Sequence, residues 1–461
     1  MTVGTGGSLP YDVALPHLEC GHCRLVVDWE LPRSAVRSLR QVFAWGFILV
    51  LGSVNATPGH VSESTEHQAV GSRAAAGFTV AGLFAGIGGL ELGLHESGAQ
   101  TKLLCEIWEP AQDVLKAHFP NVPLATDIRD LTTLPATDVV TAGFPCTDLS
   151  QAGRTAGIHG SESGLVTHLF RLLATASPRW VVIENVRNML VLDQGRGMQF
   201  LVSELERLGY RWAYRLVDSR FTGVPQRRQR VIMVASKTDD PKAVLFADDA
   251  GEPNPDIYSS KAFGFYWTEG LRGLGWAQDA VPTLKGGSTL GIPSPPAMWV
   301  KHSPAGQGIV TPSLAAGERL QGFPLGWTSP AAGRRRGMGD RWKLVGNAVT
   351  VGVARWLGQR IHNPGDPLQF ETERLSSSAR WPSAAYGEKG ERWAGRLSMW
   401  PQNDPYCHLL DVVGPEDRVP LSLRAAEGFM SRMERSSLRF DEGFRIAIKQ
   451  HVQSAQSAAD I

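Results

Sequence analysis

Apolar runs of strand length alternate with helical stretches from residue 78 to about residue 236. The strand-like runs are short and nearly all apolar, as expected of parallel strands covered on both faces. This alternation predicts βαβ units and an α/β fold with a doubly wound, mostly parallel sheet. The predicted strands lie at 78–83, 102–107, 138–142, 180–184 and 230–235, and the predicted helices at 90–94, 111–118, 165–176 and 198–208.

Changes in sequence texture divide the chain into segments. The part after residue 236 is rich in Gly, Pro, Ser and Trp, which predicts a loop-dominated insertion or small domain. Regular apolar patterning then returns before a polar, irregular C-terminal part. The predicted segments are an N-terminal extension of unknown role at 1–76, the alternating domain at 77–236, the insertion at 237–317, a return to the alternating domain at 318–362, and a C-terminal extension of unknown role at 363–461.

Composition and charge indicate a globular protein of several domains and argue against several other classes of protein. Lys plus Arg number 46 and Asp plus Glu number 45, so any nucleic-acid contact must come from a local basic face. Five cysteines in 461 residues form no disulfide framework, which indicates a reducing compartment. The apolar stretch 42–54 is shorter than the ~20 residues of a membrane span, so no membrane partner is expected. Cys20 and Cys23 form only half of a zinc site, and no metal is predicted.

A glycine-rich turn, FAGIGG at 84–89, follows the first strand and opens a helix. Glycines there let the backbone approach a ligand closely, and a helix N-terminus favours polar or anionic groups. A plain tight turn is the alternative. Glu106 ends the next strand and is either an acceptor for ribose hydroxyls or a solvated carboxylate. Asp127 is a candidate for holding an adenine amino group, with turn capping as the alternative.

A cysteine follows Phe-Pro directly after the apolar run 137–142. Pro145 fixes its own φ and disfavours helix at Phe144, so Cys146 should lie on a rigid turn at the carboxyl end of the strand. Ligands bind at this edge of an open α/β sheet. The pattern therefore favours a reactive thiol at Cys146 over a buried core cysteine.

Charged residues follow or flank two further apolar strands. Because unpaired burial of a charge is costly, Glu184 is either hydrogen-bonded structurally or kept protonated for chemistry. Gln226, Arg228 and Arg230 alternate at strand period and share one predicted face, opposite Arg227. Arginines spaced this way suit phosphate or a base carbonyl, and a charged edge strand is the alternative.

Taken in order, these segments resemble the motif set of the cytosine-C5 DNA methyltransferases of bacterial or phage type. The resemblance covers about residues 78–357, and an ordered set is far more specific than any single motif. It implies an S-adenosylmethionine-dependent enzyme with a Rossmann-like fold and a small, irregular target-recognition region at 237–317. The matching motifs are FAGIGG, Glu106, Asp127, GFPCTDLS, ENV, GVPQRRQR, RLQGFP at 319–324 and VGNAV at 345–349.

The resemblance also implies roles in methylating a cytosine flipped out of duplex DNA. Cys146 attacks C6 as a thiolate, Glu184 assists as the acid at N3, and Arg230 contacts O2. Methyl passes from S-adenosylmethionine to C5, and loss of the C5 proton expels the cysteine. Arg228 is grouped with these catalytic residues. The implied cofactor shell is Phe84, Ala85, Gly86, Ile87, Gly89, Glu106, Ile107, Asp127, Ile128, Pro145, Asn347 and Val349.

Two residues depart from the family pattern. Thr147 stands where the family usually has Gln, which affects a contact beside the flipped base. Ile107 stands where an aromatic residue is common, with Trp108 one place later, so the stacking of adenine is altered or shifted.

DNA contacts are expected from the recognition region and from the Gln-Arg-Arg motif. Gln226 and Arg228 are expected to hold the surrounding loop and the DNA backbone. The run Arg334–Arg336 is either a phosphate clamp or a solvated charge run. The predicted DNA-binding residues are Ser150, Gln226, Arg228, Arg272, Lys285, Arg334 and Arg335.

The predicted protein is a monomeric, cytoplasmic, nucleoid-associated enzyme. Its expected partners are duplex DNA and a restriction endonuclease acting at the same site, with a solitary modifier as the alternative. A related branch of the fold methylates a tRNA cytosine. A catalytically inactive regulatory relative is disfavoured because Cys146, Glu184 and Arg230 are intact, and a dinucleotide-dependent oxidoreductase has no use for Phe-Pro-Cys or Asn347.

Overall fold

A computed structural model describes residues 77–145, 164–286, 293–376 and 379–459. The N-terminal extension with Cys20 and Cys23 lies outside these ranges, as do Cys146 and Ser150. Within them, no helix is long and apolar enough to cross a membrane.

The alternating segment forms the predicted doubly wound sheet. Its strands β1, β2, β3, β4 and β5 pair in parallel, and β8 lies antiparallel between β5 and β6. The order across this part of the sheet is β6-β8-β5-β4-β1-β2-β3. Its elements are β1 Thr79–Leu83, α1 Gly89–His95, β2 Gln100–Cys105, α2 Glu109–His118, β3 Leu124–Ala125, β4 Val139–Ala142, α3 Val166–Thr175, β5 Trp180–Val186, α4 Arg196–Arg207, β6 Arg211–Asp218, β7 Gln226–Arg227 and β8 Gln229–Ser236.

Both faces of this sheet are buried, which explains the continuous apolar runs of its strands. Alternate residues of β5 face opposite sides: Ile183 joins the cluster that contains Leu169 of α3, and Val182 joins the cluster on the other face. That second cluster includes Val353 of α8 (Val351–His362), so this helix lies in the core of the large sheet. Gly93 permits a close crossing of α1 and α8, since a Cβ there would lie 2.6 Å from the Ala354 Cβ.

The C-terminal extension completes the two larger sheets in the described part of the protein, a role that the sequence did not reveal. Strands β14 (Glu373–Arg374), β15 (Ala384–Glu388) and β16 (Glu391–Ala394) extend the large sheet beyond β6, with β15 antiparallel to β6. Farther along, β17 (Arg418–Pro420) pairs with a strand of the second sheet.

The second sheet is antiparallel and has the order β10-β9-β12-β13-β17. Helices from the C-terminal extension cover it: Phe265 of the sheet packs against Phe429 and Phe444, with ring centroids 5.1 and 4.9 Å away. The predicted loop-dominated insertion is therefore a sheet-based unit. Its elements are β9 Ala262–Phe265, β10 Ala277–Gln278, β12 Ala297–Val300, β13 Ile309–Pro312, α10 Leu423–Glu434 and α11 Glu442–Ala459.

The structure divides the chain differently from the predicted boundaries at 237 and 363. Helix α5 (Lys242–Leu245) still belongs to the large-sheet core, where Val244 and Leu245 are buried. The second unit also requires β17, α10 and α11, so two separate chain segments build it. The connecting elements are β11 Val281–Pro282, which pairs in parallel with β7, α6 Leu314–Leu320, α7 Gly337–Asn347 and α9 Leu409–Val412.

Candidate active site

The glycine turn at the end of β1 leaves open space at its centre. Phe84 and Gly86 both have positive φ angles, 55° and 56°. A Cβ on Gly86 would meet no atom within 4 Å. The backbone of Val349 lies against the same turn, since a Cβ on Gly89 would lie 2.7 Å from the Val349 oxygen. The turn therefore forms a cradle that a ligand can enter without displacing side chains.

Glu106 fixes this cradle to the neighbouring strand. Its two carboxylate oxygens accept hydrogen bonds from the backbone N–H groups of Gly86 and Trp108, each at 2.8 Å. Burial raises the pKa of Glu106 above its usual value. The carboxylate is thus a built part of the turn rather than a solvated strand end, and its second lone pairs remain suited to ribose hydroxyls.

The other predicted cofactor residues divide between the surface and the core. Ile107 is 52% exposed beside Glu106, so an apolar surface is available to a planar ring. Asp127 caps its own turn: its Oδ1 accepts from the Arg129 backbone N–H at 2.8 Å, and the hydrogen bonds from Arg129 lower the pKa of Asp127. The side chains of Ile128 and Ile87 are buried, so a cofactor contact of these residues would come from their backbone.

A buried ion pair joins β5 to β8 at the carboxyl end of the sheet. The Arg230 Nε lies 2.8 Å from the Glu184 Oε1, and both side chains are 10% exposed. Val186 pairs with Arg230 in the ladder, which brings the two side chains together. Burial lowers the pKa of Arg230, while the charge of Glu184 opposes this effect. The pair places a carboxylate and a guanidinium side by side at a site from which most water is excluded.

The start of the Phe-Pro-Cys segment lies against this pair. A Cβ on Gly143 would be 3.7 Å from the Glu184 Oε2. The Asn185 side chain donates to the Phe144 carbonyl at 3.0 Å. Pro145 is exposed at the next position. Two consecutive residues of β5 therefore fix where the chain leaves β4, directly before Cys146.

A cleft of about 740 Å³ opens beside Arg230. Arg187, Arg227 and Lys285 also line it, and none of the described lining residues is acidic. The ends of β5 and β8 and the segments that follow β9 and β11 contribute to its wall, and such a local concentration of positive charge attracts a polyanion. The lining residues are Val186, Arg187, Asn188, Arg227, Gln229, Arg230, Tyr266, Thr283, Leu284, Lys285, Gly286, Gly346 and Asn347.

The cleft contains residues that the sequence reasoning placed elsewhere. Asn347, predicted for the cofactor shell, lines the cleft. Arg227, placed on the opposite face from Arg230, also lines it, and no carboxylate in the described ranges pairs with it. Arg187 was missed, although it follows directly on the ENV motif, and it donates to the Gln229 side chain at 2.8 Å.

Gln226 and Arg228 are buried, so their predicted contact with DNA is wrong. Gln226 donates to the Leu320 carbonyl at 2.9 Å, and its oxygen accepts from the Leu284 N–H. Arg228 donates to the carbonyls of Leu284, Gly346 and Ala348 at 3.1, 3.2 and 2.6 Å. Burial lowers the pKa of Arg228 well below its usual value. Both side chains hold the surrounding backbone, in line with the loop-holding role that the sequence analysis also gave them.

The remaining predicted DNA-binding residues differ in their surroundings. Arg334 pairs with Asp113 and Glu109 of α2, each at 2.6 Å, so it would have to exchange these partners for phosphate to act as the predicted clamp. Arg335 is exposed and does not line the cleft. Lys285 lines the cleft, pairs with Glu269 at 2.8 Å and stacks on Tyr266. Arg272 is exposed on a loop of the second sheet.

The sheet order, the glycine turn and the ion pair at the strand ends define a Rossmann-like methyltransferase. The profile of the family described as C-5 cytosine-specific DNA methylase matches residues 78–267. The chain is 46% identical over 368 residues to the Type II methyltransferase M2.BsuMI of Bacillus subtilis (strain 168), an alignment covering 77% of this chain and 93% of that relative. This protein belongs to the C-5 cytosine-specific DNA methylase family, as the order of its motifs predicts.

Other similarities are more distant. The chain is 34% identical over 190 residues to the Type II methyltransferase M.BanI of Aneurinibacillus aneurinilyticus, covering 40% of this chain and 44% of that relative. A crystal structure of the S. pombe Dnmt2 methyltransferase aligns with a TM-score of 0.46 at 15% identity, covering 62% of this chain and 98% of that one.

Proposed function

We propose that this protein transfers a methyl group from S-adenosylmethionine to C5 of a cytosine flipped out of duplex DNA, with Cys146 as the nucleophile. The observation that carries the proposal is the Glu184–Arg230 pair at 2.8 Å, which borders a cleft without acidic lining among the described residues. A flipped base needs such a pocket, and the DNA backbone needs the positive cleft.

The protein groups divide the reaction between them. The Cys146 thiolate adds to C6, which moves an electron pair toward N3 and O2 of the ring. Arg230 donates to O2, and Glu184, which would take up a proton from solvent when the base binds, passes it to N3, so the negative charge is stabilised as it develops. C5 then carries the electron pair that would form the new C–C bond, as the bond between the methyl group and the cofactor sulfur breaks and leaves S-adenosylhomocysteine. Removal of the C5 proton to solvent restores the double bond between C5 and C6 and expels the Cys146 thiolate, and the N3 proton returns to Glu184.

The cradle at the end of β1 fits the cofactor that this family implies. Gly86 faces open space, Glu106 offers acceptors for ribose hydroxyls, and exposed Ile107 offers an apolar surface for adenine. When bound there, S-adenosylmethionine supplies the methyl group. Ile107 takes the stacking role in this chain, since Lys343 already covers the neighbouring Trp108 ring at 4.5 Å.

The test is covalent trapping on duplex DNA in which 5-fluorocytosine replaces cytosine. The fluorine at C5 cannot leave as a proton, so the covalent intermediate is not resolved. With S-adenosylmethionine present, the wild type should form an adduct that survives denaturation. Cys146→Ala should form none, while Cys407→Ala, which removes an exposed free cysteine, should trap like the wild type. Adducts on tRNA instead of DNA would transfer the proposal to the RNA-directed branch, and adducts from Cys146→Ala would refute the nucleophile.

The relatives named Type II methyltransferases support a place in restriction-modification. We propose a monomer that acts on chromosomal DNA in the cytoplasm and protects it from an endonuclease cutting the same sequence. DNA methylated to completion by this protein should resist that endonuclease. Complete cleavage of the methylated DNA would argue for a solitary modifier.

A further inference from the structure

The loop between β9 and β10 is a compact hairpin whose tip carries an arginine. We name residues 266–276 the recognition hairpin. Tyr266 N–H donates to the Leu274 carbonyl at 2.7 Å, and Gly270 N–H donates to the Gly273 carbonyl at 3.0 Å. These bonds leave Leu271, 47% exposed, and exposed Arg272 at the tip. Arg272 makes no ion pair or hydrogen bond within the described part of the chain.

The base of the recognition hairpin lies in the wall of the cationic cleft. Tyr266 lines the cleft, and its hydroxyl donates to the carbonyl of Thr283, another lining residue, at 2.9 Å. Glu269 pairs with Lys285, which also lines the cleft. The hairpin therefore starts where the backbone of bound DNA is proposed to lie, and its tip carries an uncommitted cation a few residues away.

The C-terminal segment holds the hairpin from the other side. Arg432 of α10 donates to the backbone carbonyls of Trp267 at 2.7 Å and Glu269 at 3.0 Å. The Phe429 ring lies 3.2 Å from where a Cβ on Gly270 would be, and Gly270 itself has a φ of 122°. Because Arg432 uses its planar fork on two loop carbonyls, it fixes the backbone rather than a neighbouring side chain.

We infer that the recognition hairpin reads the DNA sequence next to the target cytosine, with Arg272 as the base-reading residue and Arg432 as a positioning residue. This inference rests on the proposed function. Arginine reads guanine best, because its paired donors match the O6 and N7 acceptors in the major groove. If Arg272 reads a base edge, the matching base is a guanine at one position of the target sequence. The C-terminal segment, which carries no family motif, contributes to target choice through Arg432.

The experiment measures target choice and kinetics together. Unmethylated genomic DNA is methylated by each variant, and the methylated cytosines are mapped by sequencing. The wild type should give one motif containing a guanine beside the target cytosine. Arg272→Ala should lose discrimination at that guanine by about 10- to 100-fold, with the KM for S-adenosylmethionine unchanged. Arg424→Ala, an exposed arginine on the same helix as Arg432, should keep the wild-type motif.

The test of Arg432 compares the effect of its substitution on methylation of the cognate DNA sequence with the effect on other DNA sequences. Arg432→Ala should raise the KM for DNA and relax the same guanine position, while kcat on the cognate sequence falls by less than about 3-fold. Arg432→Lys, which can reach one carbonyl, should restore part of the discrimination. An equal loss of kcat/KM on every sequence would show a merely structural role and overturn the positioning part.

The failures of the two proposals are distinguishable. An active wild type whose motif is unchanged by Arg272→Ala would overturn the recognition hairpin while leaving the methyltransferase intact. A wild type that methylates no DNA and forms no adduct with 5-fluorocytosine would overturn both.

Discussion

A carboxylic acid buried behind the cofactor cradle should make the stability of this protein fall as pH rises. Glu91, on the first turn of α1, is 1% exposed. Its Oε1 accepts from the Thr141 hydroxyl at 3.2 Å, and its Oε2 has no partner among the described residues. A Cβ on Gly82 would lie 2.2 Å from the Oε1, so the site depends on a glycine in β1.

The magnitude follows from the pKa of Glu91, which burial raises from 4.5 to about 7. The folded protein therefore holds a proton that the unfolded chain releases, and folding is disfavoured between these two pH values. The cost is small below pH 4.5, grows as pH rises, and reaches about 3 kcal/mol above pH 7. Glu91→Gln keeps the oxygen that accepts from Thr141 but cannot ionise, so it removes this cost.

The assay is urea unfolding of the wild type and of Glu91→Gln at pH 5 and pH 8. The variant should be more stable by about 2 to 3 kcal/mol at pH 8 and by less than about 1 kcal/mol at pH 5. Glu434→Gln, at the end of α10, serves as the control for an exposed carboxylate and should show no such dependence. An equal effect of Glu91→Gln at both pH values would refute a protonated, buried Glu91.

Three further predictions concern the active site and the cleft. Asn185→Ala removes the bond to the Phe144 carbonyl and should lower single-turnover methyl transfer by about 10- to 100-fold while the Kd of S-adenosylmethionine stays unchanged. Gly86→Val places a side chain in the open cradle and forces a β-branched residue to adopt a positive φ. Calorimetry should therefore show that cofactor binding is weakened by at least about 10-fold. Unchanged binding would show that the cradle is not part of the cofactor site. Arg227→Ala should reduce the slope of log K for DNA binding against log salt concentration by about 1. Arg228→Met should leave that slope unchanged and lower the free energy of unfolding by about 3 kcal/mol or more. A reversal of this pattern would place Arg228 on the DNA.

The sequence predicted the large sheet well because its strands are buried on both faces. A residue such as Ile183 has to be apolar wherever it points, and the glycine turn needs glycines for its backbone angles. The role of the C-terminal extension could not be predicted in this way. Its strands are short and partly exposed, Glu373–Arg374 being an example, and they are determined by pairing with partners that lie far away in the chain.

The arginine motif shows where strand alternation fails as a guide to function. Burial along the motif keeps the two-residue period, because Gln226, Arg228 and Arg230 are buried while Arg227 is only partly buried, but the period does not tell which buried arginine binds the protein's own backbone. The Arg228 guanidinium is buried on backbone carbonyls, and Arg227 faces the cleft instead. Residue type alone cannot separate these roles, because an arginine binds carbonyls and phosphates with the same donors.

The same motif connects the proposed recognition hairpin to the proposed base pocket. Arg230 pairs with Glu184 at the base pocket, while Gln226 and Arg228 bind the N–H and carbonyl of Leu284. Leu284 precedes Lys285, whose ammonium pairs with Glu269 of the recognition hairpin. The path from the hairpin base to the strand that carries Arg230 therefore consists of one exposed ion pair followed by buried hydrogen bonds. This continuity gives a physical reason why a polar motif is buried between two sheets where apolar packing alone would allow them to slide.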